Sequence, residues 1–229
     1  EAVASGVRSV RSRIETACKE SRRTPDEVTL VAVTKTVPAP VVNLGREAGL
    51  SHFGENRVQD AENKCRSVDD GHWHLIGQLQ RNKARRAINL FSLIHSVDSI
   101  KLAHRLERVR TTENFAVLVQ VNLTDSESQA GVSPNDLSRL ATIIDRETSL
   151  ELRGLMTIAP INGSQATVRA CFGELRQLRD GLRKNLPNQP VHDLSMGMTN
   201  DFELAISEGA TIIRVGRAIF GHRPQELPR

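Results

Sequence analysis

Tyrosine is absent from all 229 residues, so no phenol can act as an acid or a base in any site of this chain. No apolar run approaches the roughly 18 residues that a membrane-spanning helix needs. The N-terminal stretch EAVASGVRSVRSRIE also lacks the apolar centre of a secretory signal. The three cysteines are far apart and in no CxxC spacing, which predicts neither a disulfide framework nor a zinc site. We therefore expect a cytoplasmic protein with no membrane partner.

Residues in metal-ligand spacing are scarce. His72 and His74 are two residues apart, on one face of a predicted strand, but no third ligand of suitable type is apparent. A surface role, or a role in supporting neighbouring side chains, is the preferred interpretation. We expect no metal site.

The chain carries a modest excess of positive charge, with a formal net charge of +4. A local cluster at Arg81, Lys83, Arg85 and Arg86 has the charge needed to contact phosphates or nucleic acid. No aromatic residues interleave with this cluster, so a solvated helix face is the favoured interpretation. We expect no nucleic-acid partner.

Short apolar stretches alternate with segments that have helical patterns. The eight predicted strands are residues 30–36, 52–55, 73–77, 93–97, 116–122, 151–158, 191–196 and 211–216. Eight strands alternating with helices in about 200 to 250 residues are typical of a parallel barrel. We predict an α/β fold, a (β/α)8 TIM-type barrel, with a doubly wound open sheet as the alternative.

Several helix ends can be recognised from capping residues. Ser133 is placed as an N-cap, and Asn200 with Glu203 resembles a capping box. Gly49 and Gly209 stand where C-terminal caps are expected. These signals support the alternation of strands and helices.

One helix, about residues 2–21, precedes every predicted strand. Its apolar stripe consists of Val3, Val7, Val10, Ile14 and Cys18. We expect this extra N-terminal helix to pack on the outside of the barrel. No linker rich in proline, glycine or serine divides the chain, so we predict one domain over residues 1–229, with the barrel at about 28–221 and a polar tail at 222–229.

Lys35 ends the first predicted strand, on the same side as Val31 and Val33. The C-terminal ends of barrel strands meet at the one face where ligands bind. We expect a partly apolar pocket to depress the pKa of this lysine, and a free amine is the nucleophile that forms a Schiff base with an aldehyde. The alternative is a lysine that simply extends from the barrel mouth into water.

Two glycine-containing turns follow predicted strands seven and eight, where barrels frequently bind phosphate. The first offers the Ser195 hydroxyl and a close backbone approach at Gly197, and the second offers the amides of Gly216 and Arg217. Each glycine could instead serve only its turn. A phosphate site opposite Lys35 would suit pyridoxal phosphate, or a Schiff-base aldolase acting on a phosphorylated sugar.

The chain resembles the YggS/PROSC family of pyridoxal phosphate homeostasis proteins. The motifs that carry the resemblance are VAVTKTVP, HFGENRVQD, WHLIGQLQRNKAR, IHSVDS, VQVN, RGLMTIAP, LSMGMTNDFELAI and GATIIRVGRAIFG. They follow one another in order over residues 31–221. The resemblance implies a single-domain barrel, similar to the N-terminal domain of alanine racemase, that binds pyridoxal 5′-phosphate.

The same resemblance implies roles for individual residues. Lys35 would form the Schiff base with the cofactor. By analogy with alanine racemase, Arg214 would approach the pyridine nitrogen and Asn56 would lie near the ring hydroxyl. The expected phosphate ligands are Ser195, Met196, Gly216 and Arg217.

A permanently charged guanidinium at the ring nitrogen disfavours a proton there and makes the ring a weak electron sink. Alanine racemase adds a tyrosine as its second base, which the composition of this chain excludes, although Lys83 or His192 remain as other acids. We predict a monomeric carrier without catalytic residues or turnover. It would buffer pyridoxal phosphate or deliver it to apoenzymes, and the resemblance implies a part in vitamin B6, amino-acid and keto-acid homeostasis. A slow racemase-like enzyme is the alternative.

Overall fold

The strands of this protein close into a single parallel barrel. A computed structural model describes residues 1–68, 70–124 and 129–221, so the predicted polar tail lies outside the described residues. The strands in that part are Thr29–Val33 (β1), His52–Glu55 (β2), His72–Leu75 (β3), Leu93–Val97 (β4), Phe115–Gln120 (β5), Leu150–Met156 (β6), Asp193–Ser195 (β7) and Ile212–Val215 (β8). Each strand pairs with the next, and β8 pairs with β1. The predicted TIM-type barrel is confirmed, and the open sheet is excluded.

Helices follow the strands around the outside of the barrel. Those in the described residues are Ala2–Glu20 (α1), Ala39–Glu47 (α2), Val58–Cys65 (α3), Ala84–Leu90 (α4), Ile100–Val109 (α5), Pro134–Glu147 (α6), Gln165–Asn185 (α7), Phe202–Ser207 (α8) and Arg217–Phe220 (α9). Short 3-10 turns lie at Pro25–Glu27 and Arg81–Lys83. None of these described helices has the length and apolar character that a membrane span requires.

The first strand ends earlier than the apolar pattern predicts, so Lys35 lies in the turn after β1. The Thr34 amide still donates to the Gly54 oxygen at 2.9 Å, which continues the ladder for one residue. The Val37 amide then donates to the Thr34 oxygen at 2.9 Å and closes a turn over Lys35 and Thr36. Thr36 adopts the left-handed region with φ of 67°. A run of β-branched residues predicts an extended strand, but this backbone turn interrupts it.

Two separate groups of side chains form the core. Most buried apolar residues lie between the strands and the surrounding helices. A smaller apolar cluster comprises Val31, Leu93, Leu118, Met156 and Ile212. Unlike these residues, the buried side chains of His74, His95, Ser195 and Arg214 are polar or charged. Their groups must find hydrogen-bond partners within the protein, because burial without partners is costly.

Helix α1 packs on the outside of the barrel, as predicted. Its stripe of Val3, Val7, Val10, Ile14 and Cys18 is buried, and the helix contacts α2, α8 and α9. At Gly6 the backbones of α1 and α9 approach so closely that a Cβ would lie 2.6 Å from the Ile219 oxygen. The helix therefore supports the segment that follows β8.

Three of the four predicted helix ends are confirmed. The Ser133 hydroxyl accepts from the Asp136 amide at the start of α6. Gly49 and Gly209 have positive φ one residue beyond the C-cap positions of α2 and α8. The capping box at Asn200 is wrong. Residue 201 is the N-cap of α8, and Glu203 instead accepts a hydrogen bond from Arg13 of α1 at 2.6 Å.

Gly6→Ala should lower the free energy of unfolding, because the added methyl would force α1 away from α9. Overpacking costs about 1–3 kcal/mol, which outweighs a gain of about 1 kcal/mol in helix propensity. Gly181→Ala in α7 is the matched control, since a Cβ there meets nothing within 4 Å. Urea unfolding followed by circular dichroism measures both. Equal stability of the two variants would contradict the close contact.

Candidate functional site

A large cavity opens at the C-terminal end of the barrel. Its volume is about 1680 Å³, and its walls come from the segments after β1, β6, β7 and β8 together with α9. Polar side chains in the lining include Lys35, Thr36, Thr199, Asp201, Arg214 and Arg217. Ligand pockets are usually about 300–1,000 Å³, so the space exceeds what one small ligand requires.

The structure brings four of the seven predicted site residues to this cavity. Those in the lining are Lys35, Arg214, Gly216 and Arg217. Ser195 and Met196 are fully buried, and Asn56 is half-buried directly after β2. Among the described residues, these three do not contribute to the lining. Lys83 and His192, the other candidate acids, do not contribute either.

Thr199 is a cavity residue that the sequence reasoning missed. It follows Gly197 by two residues in the GMTN stretch, and both it and Met198 line the cavity. Ser195 is the last residue of β7. Its hydroxyl is buried within the barrel and is not part of the cavity lining. The sequence signal for Thr199 was its position two residues after Gly197, since a hydroxyl side chain beyond the glycine turn can face the cavity.

Arg214 is a buried cation whose orientation is held by two hydrogen bonds. Its Nη1 donates to Ser195 Oγ at 2.6 Å and its Nη2 donates to the Thr157 oxygen at 2.8 Å. Burial lowers the pKa of Arg214 to about 10, against the opposing effect of the nearby Asp201 carboxylate. The guanidinium therefore stays charged at neutral pH and presents a fixed cation to the cavity.

The turn after β7 depends on a glycine. Gly197 has φ of 93°, and a Cβ there would lie 2.6 Å from the Ala205 Cβ of α8. The Met198 amide donates to Asp201 Oδ1 at 2.5 Å, and the Arg214 amide donates to the Gly197 oxygen at 3.0 Å. Burial raises the pKa of Asp201 above its usual range. These contacts fix the loop that carries Thr199 against β8.

The turn after β8 contributes Gly216 and Arg217 to the cavity lining. A Cβ at Gly216 would lie 3.2 Å from the Val33 oxygen, so a larger residue would press on the end of β1. Because Arg217 and Ala218 stand in the first turn of α9, their amides have no acceptor within that helix. Such amides are suited to receive an anionic group.

A buried ion pair anchors the residue that precedes Lys35. Lys64 Nζ donates to Glu55 Oε1 at 2.5 Å and to the Thr34 oxygen at 2.7 Å. Thr34 Oγ1 also donates to Glu55 Oε1, at 2.6 Å. All of these side chains are buried. Lys64 therefore ties α3 to the backbone beside Lys35. Its helical spacing with Val58 and Ala61 indicates a buried position but not this partner.

Three histidines, His52, His74 and His95, contact one another across neighbouring strands. His74 is buried and contacts His52 and His95 through its two ring nitrogens, each at 2.9 Å, while His72 is exposed and stacks on His52. Within residues 1–68, 70–124 and 129–221, no group of histidine, cysteine and carboxylate side chains has the arrangement of a metal site.

Comparison with known proteins assigns residues 9–224 to the profile described as alanine racemase, N-terminal domain. The chain is 40% identical to a pyridoxal phosphate homeostasis protein of Pseudomonas aeruginosa, over 99% of this chain and 98% of that one. It is 39% identical to the protein of the same name from Haemophilus influenzae, over 93% of each chain.

Solved structures also include a relative of this chain. PipY of Synechococcus elongatus PCC7942, described both without and with bound PLP, is 39% identical and superposes with a TM-score of 0.85 over 96% of this chain and 100% of that one. Alanine racemase from Corynebacterium glutamicum is only 14% identical, with a TM-score of 0.70 over 93% of this chain and 61% of that one. The second likeness concerns the fold alone.

Lys64→Met should lower the free energy of unfolding by about 3–5 kcal/mol, because it leaves the Glu55 carboxylate buried without its cation. Adding Glu55→Gln should restore part of that loss, since a neutral amide is less costly to bury. Chemical unfolding of the single and double variants measures both effects.

Arg86→Met provides the control, because Arg86 pairs with Glu62 on the surface. Exposed pairs contribute about 0–1 kcal/mol, so this variant should remain close to the parent. The anchoring role of Lys64 would be wrong if Lys64→Met and Arg86→Met were equally stable.

Proposed function

We propose that this chain binds pyridoxal 5′-phosphate and buffers or delivers it. The chain belongs to the family of pyridoxal phosphate homeostasis proteins, and it matches the profile of the alanine racemase N-terminal domain. The observation that carries the proposal is the meeting of Lys35, Arg214 and the amides after β8 in one cavity. These residues supply an amine for the aldehyde, a cation and an anion site. Pyridoxal phosphate has the aldehyde and phosphate groups that match the amine and the anion site.

Lys35 would bind the aldehyde carbon through its amine as a Schiff base, with loss of one water molecule. Water reverses this bond, which suits a carrier. The turn over Lys35 and Thr36, together with the hydrogen bond from Lys64 to the Thr34 oxygen, positions the lysine at the cavity wall. Lys35 would thus attach the cofactor covalently and reversibly to the protein.

The phosphate would lie against the turns after β7 and β8. We assign its contacts to the amides of Gly216 and Arg217 and to the hydroxyl of Thr199, all residues of the cavity lining. The contact of Ser195 with the phosphate stays a prediction. Glycine at position 216 suits close approach of a phosphate, because a Cβ there would lie 3.2 Å from the Val33 oxygen and would crowd the end of β1. The contacts of Met196 with the phosphate and of Asn56 with the ring hydroxyl stay predictions from the family resemblance.

Arg214 favours storage over catalysis. Its charge is retained at neutral pH, and a neighbouring cation disfavours a proton on the pyridine nitrogen that it would face. A ring without that proton stabilises carbanions poorly, which supports a carrier without turnover. We propose that the chain acts in the cytoplasm as a monomer, with pyridoxal phosphate-dependent apoenzymes as recipients.

A slow racemase-like enzyme is the second candidate. The cavity of about 1680 Å³ leaves room beside Lys35 for an amino acid as well as the cofactor. The same surplus volume suits a carrier, because the cofactor must leave as well as enter. The two functions differ in whether an amino acid loses its α-proton.

Lys35→Ala should abolish the visible imine band that forms when pyridoxal phosphate is added to the apoprotein. Borohydride reduction followed by mass spectrometry should place the adduct of the parent protein on Lys35. Lys101→Ala, at an exposed position of α5, is the matched control and should label like the parent. An adduct on the Lys35→Ala protein equal to that of the parent would refute the attachment site.

The loaded protein should transfer pyridoxal phosphate to an apoenzyme without exchanging amino-acid α-protons. Recovery of the apoenzyme's activity measures transfer, and NMR in deuterated water measures exchange at the α-carbon of alanine. Exchange that depends on Lys35 would favour the enzyme over the carrier. Cofactor retention in the presence of apoenzyme would contradict delivery.

A further inference from the structure

A continuous chain of hydrogen-bonded side chains crosses the barrel below the cavity. His52 Nδ1 lies 2.9 Å from His74 Nε2, and His74 Nδ1 lies 2.9 Å from His95 Nε2. His95 Nδ1 lies 2.8 Å from Ser195 Oγ, which also accepts from Arg214 Nη1 at 2.6 Å. Five side chains from β2, β3, β4, β7 and β8 are therefore linked without a gap.

The two ends of this chain line different cavities. Arg214 belongs to the large cavity at the C-terminal end of the barrel. His52 is the first residue of β2 and lines a groove of about 450 Å³ at the opposite end, together with Pro25, Thr29 and Gly49. The chain connects the proposed cofactor site with the far face of the barrel.

The need to place the Ser195 proton sets the direction of the bonds. Arginine can only donate, so Ser195 Oγ accepts from Arg214. Among the described residues Ser195 Oγ contacts no other hydrogen-bond partner than Arg214 and His95, so we assign its buried proton to His95 Nδ1. With Nδ1 accepting, neutral His95 carries its proton on Nε2 and donates to His74 Nδ1. By the same rule His74 donates from Nε2 to His52 Nδ1. All three histidines are then neutral, with the proton on Nε2.

Burial keeps these rings neutral. It lowers the pKa of His95 well below its usual range and that of His74 to about 3. His52 is only half-buried, and its pKa is lowered by burial first and then by the neighbouring His72 and Arg153. It is therefore the member that accepts a proton as the pH falls.

Other ionisable groups surround the ends of the chain. Arg153 pairs with Asp193 at 2.9 Å. Among the described residues, further charged or titratable groups are His72 beside His52, Asp201 near Arg214, and Arg11, Glu15 and Asp26 in the groove.

We propose that His95, His74 and His52 are positioning residues for Arg214, and that a proton gained by His52 reverses the hydrogen-bond chain that holds it. The reversed chain has one additional proton, on His52 Nδ1. His74 and His95 each keep one proton, now on Nδ1, and Ser195 keeps its hydroxyl proton but turns it away from His95. Ser195 then accepts from both His95 and Arg214, so the restraint on the guanidinium weakens.

The consequence for the ligand rests on the proposed function. If Arg214 faces the pyridine nitrogen, the absorption of bound pyridoxal phosphate should shift with a midpoint below pH 6.5, the ordinary pKa of histidine. Above that midpoint the chain keeps the order that fixes Arg214. Below it the order is reversed.

The first test needs no cofactor. In the apoprotein at neutral pH, ¹⁵N NMR of the imidazole nitrogens should find the Nε2–H tautomer for His52, His74 and His95. A proton on Nδ1 of any of the three would overturn the assignment. This measurement needs no ligand. It therefore tests the direction of the hydrogen bonds even if pyridoxal phosphate does not bind and the proposed function is wrong.

The second test uses pyridoxal phosphate as the probe, titrated from about pH 8 to about pH 5. His95→Leu leaves the Ser195 hydroxyl without its acceptor and should weaken binding about tenfold, whereas His95→Gln can accept and donate and should recover part of the affinity. His52→Gln should remove the pH-dependent absorption shift. His104→Gln, in an exposed pair with Glu147, is the control and should preserve both.

Two results would overturn the proposal in this second test. One is a His52→Gln protein whose absorption titrates like that of the parent. The other is a His95→Leu protein that binds with the parent's affinity and spectrum. If His95→Leu fails to fold, His52→Gln at the half-buried end carries the test alone.

Discussion

The buried charge of Arg214 is the constraint on which the interior of this barrel depends. A guanidinium removed from water must have its donors satisfied by the protein, and here Ser195 Oγ and the Thr157 oxygen accept from it. Ser195 Oγ in turn lies 2.8 Å from His95 Nδ1, which is the acceptor that we propose for its proton. His95 is linked further to His74 and His52, so polar side chains stand here where most barrels carry branched apolar ones.

The same constraint shapes the proposed function. A cation that is fixed before any ligand arrives costs little to reorganise and can orient an aromatic nitrogen. It also limits what a bound pyridine ring can do, because it opposes protonation of that nitrogen. Lys35 is fixed by a separate device, the buried Lys64–Glu55 pair that holds the Thr34 backbone. The proposed attachment at Lys35 and the proposed ring orientation by Arg214 would therefore be supported by independent parts of the barrel.

Hydrophobic periodicity was sufficient to predict the barrel and the bounds of β2 and β4, because both depend on local patterns. It overestimated β1, where the apolar run continues into the turn at Thr36, and β7, which begins at Asp193 and not at Val191. Phosphate contacts were expected at Ser195 because it stands at the end of a predicted strand. Ser195 is buried at the end of β7, whereas Thr199, beyond the Gly197 turn, lines the cavity.

The sequence by itself determined the fold class, the extra N-terminal helix and the presence of Lys35, Arg214 and Gly216 at the ends of the first and last strands. Those features depend on residue spacing along one strand or helix. Only the tertiary structure decided that Ser195 meets His95, 100 residues away, and that Lys64 reaches Thr34. Such contacts require strand register, barrel closure and side-chain direction to agree, and no local pattern encodes that combination.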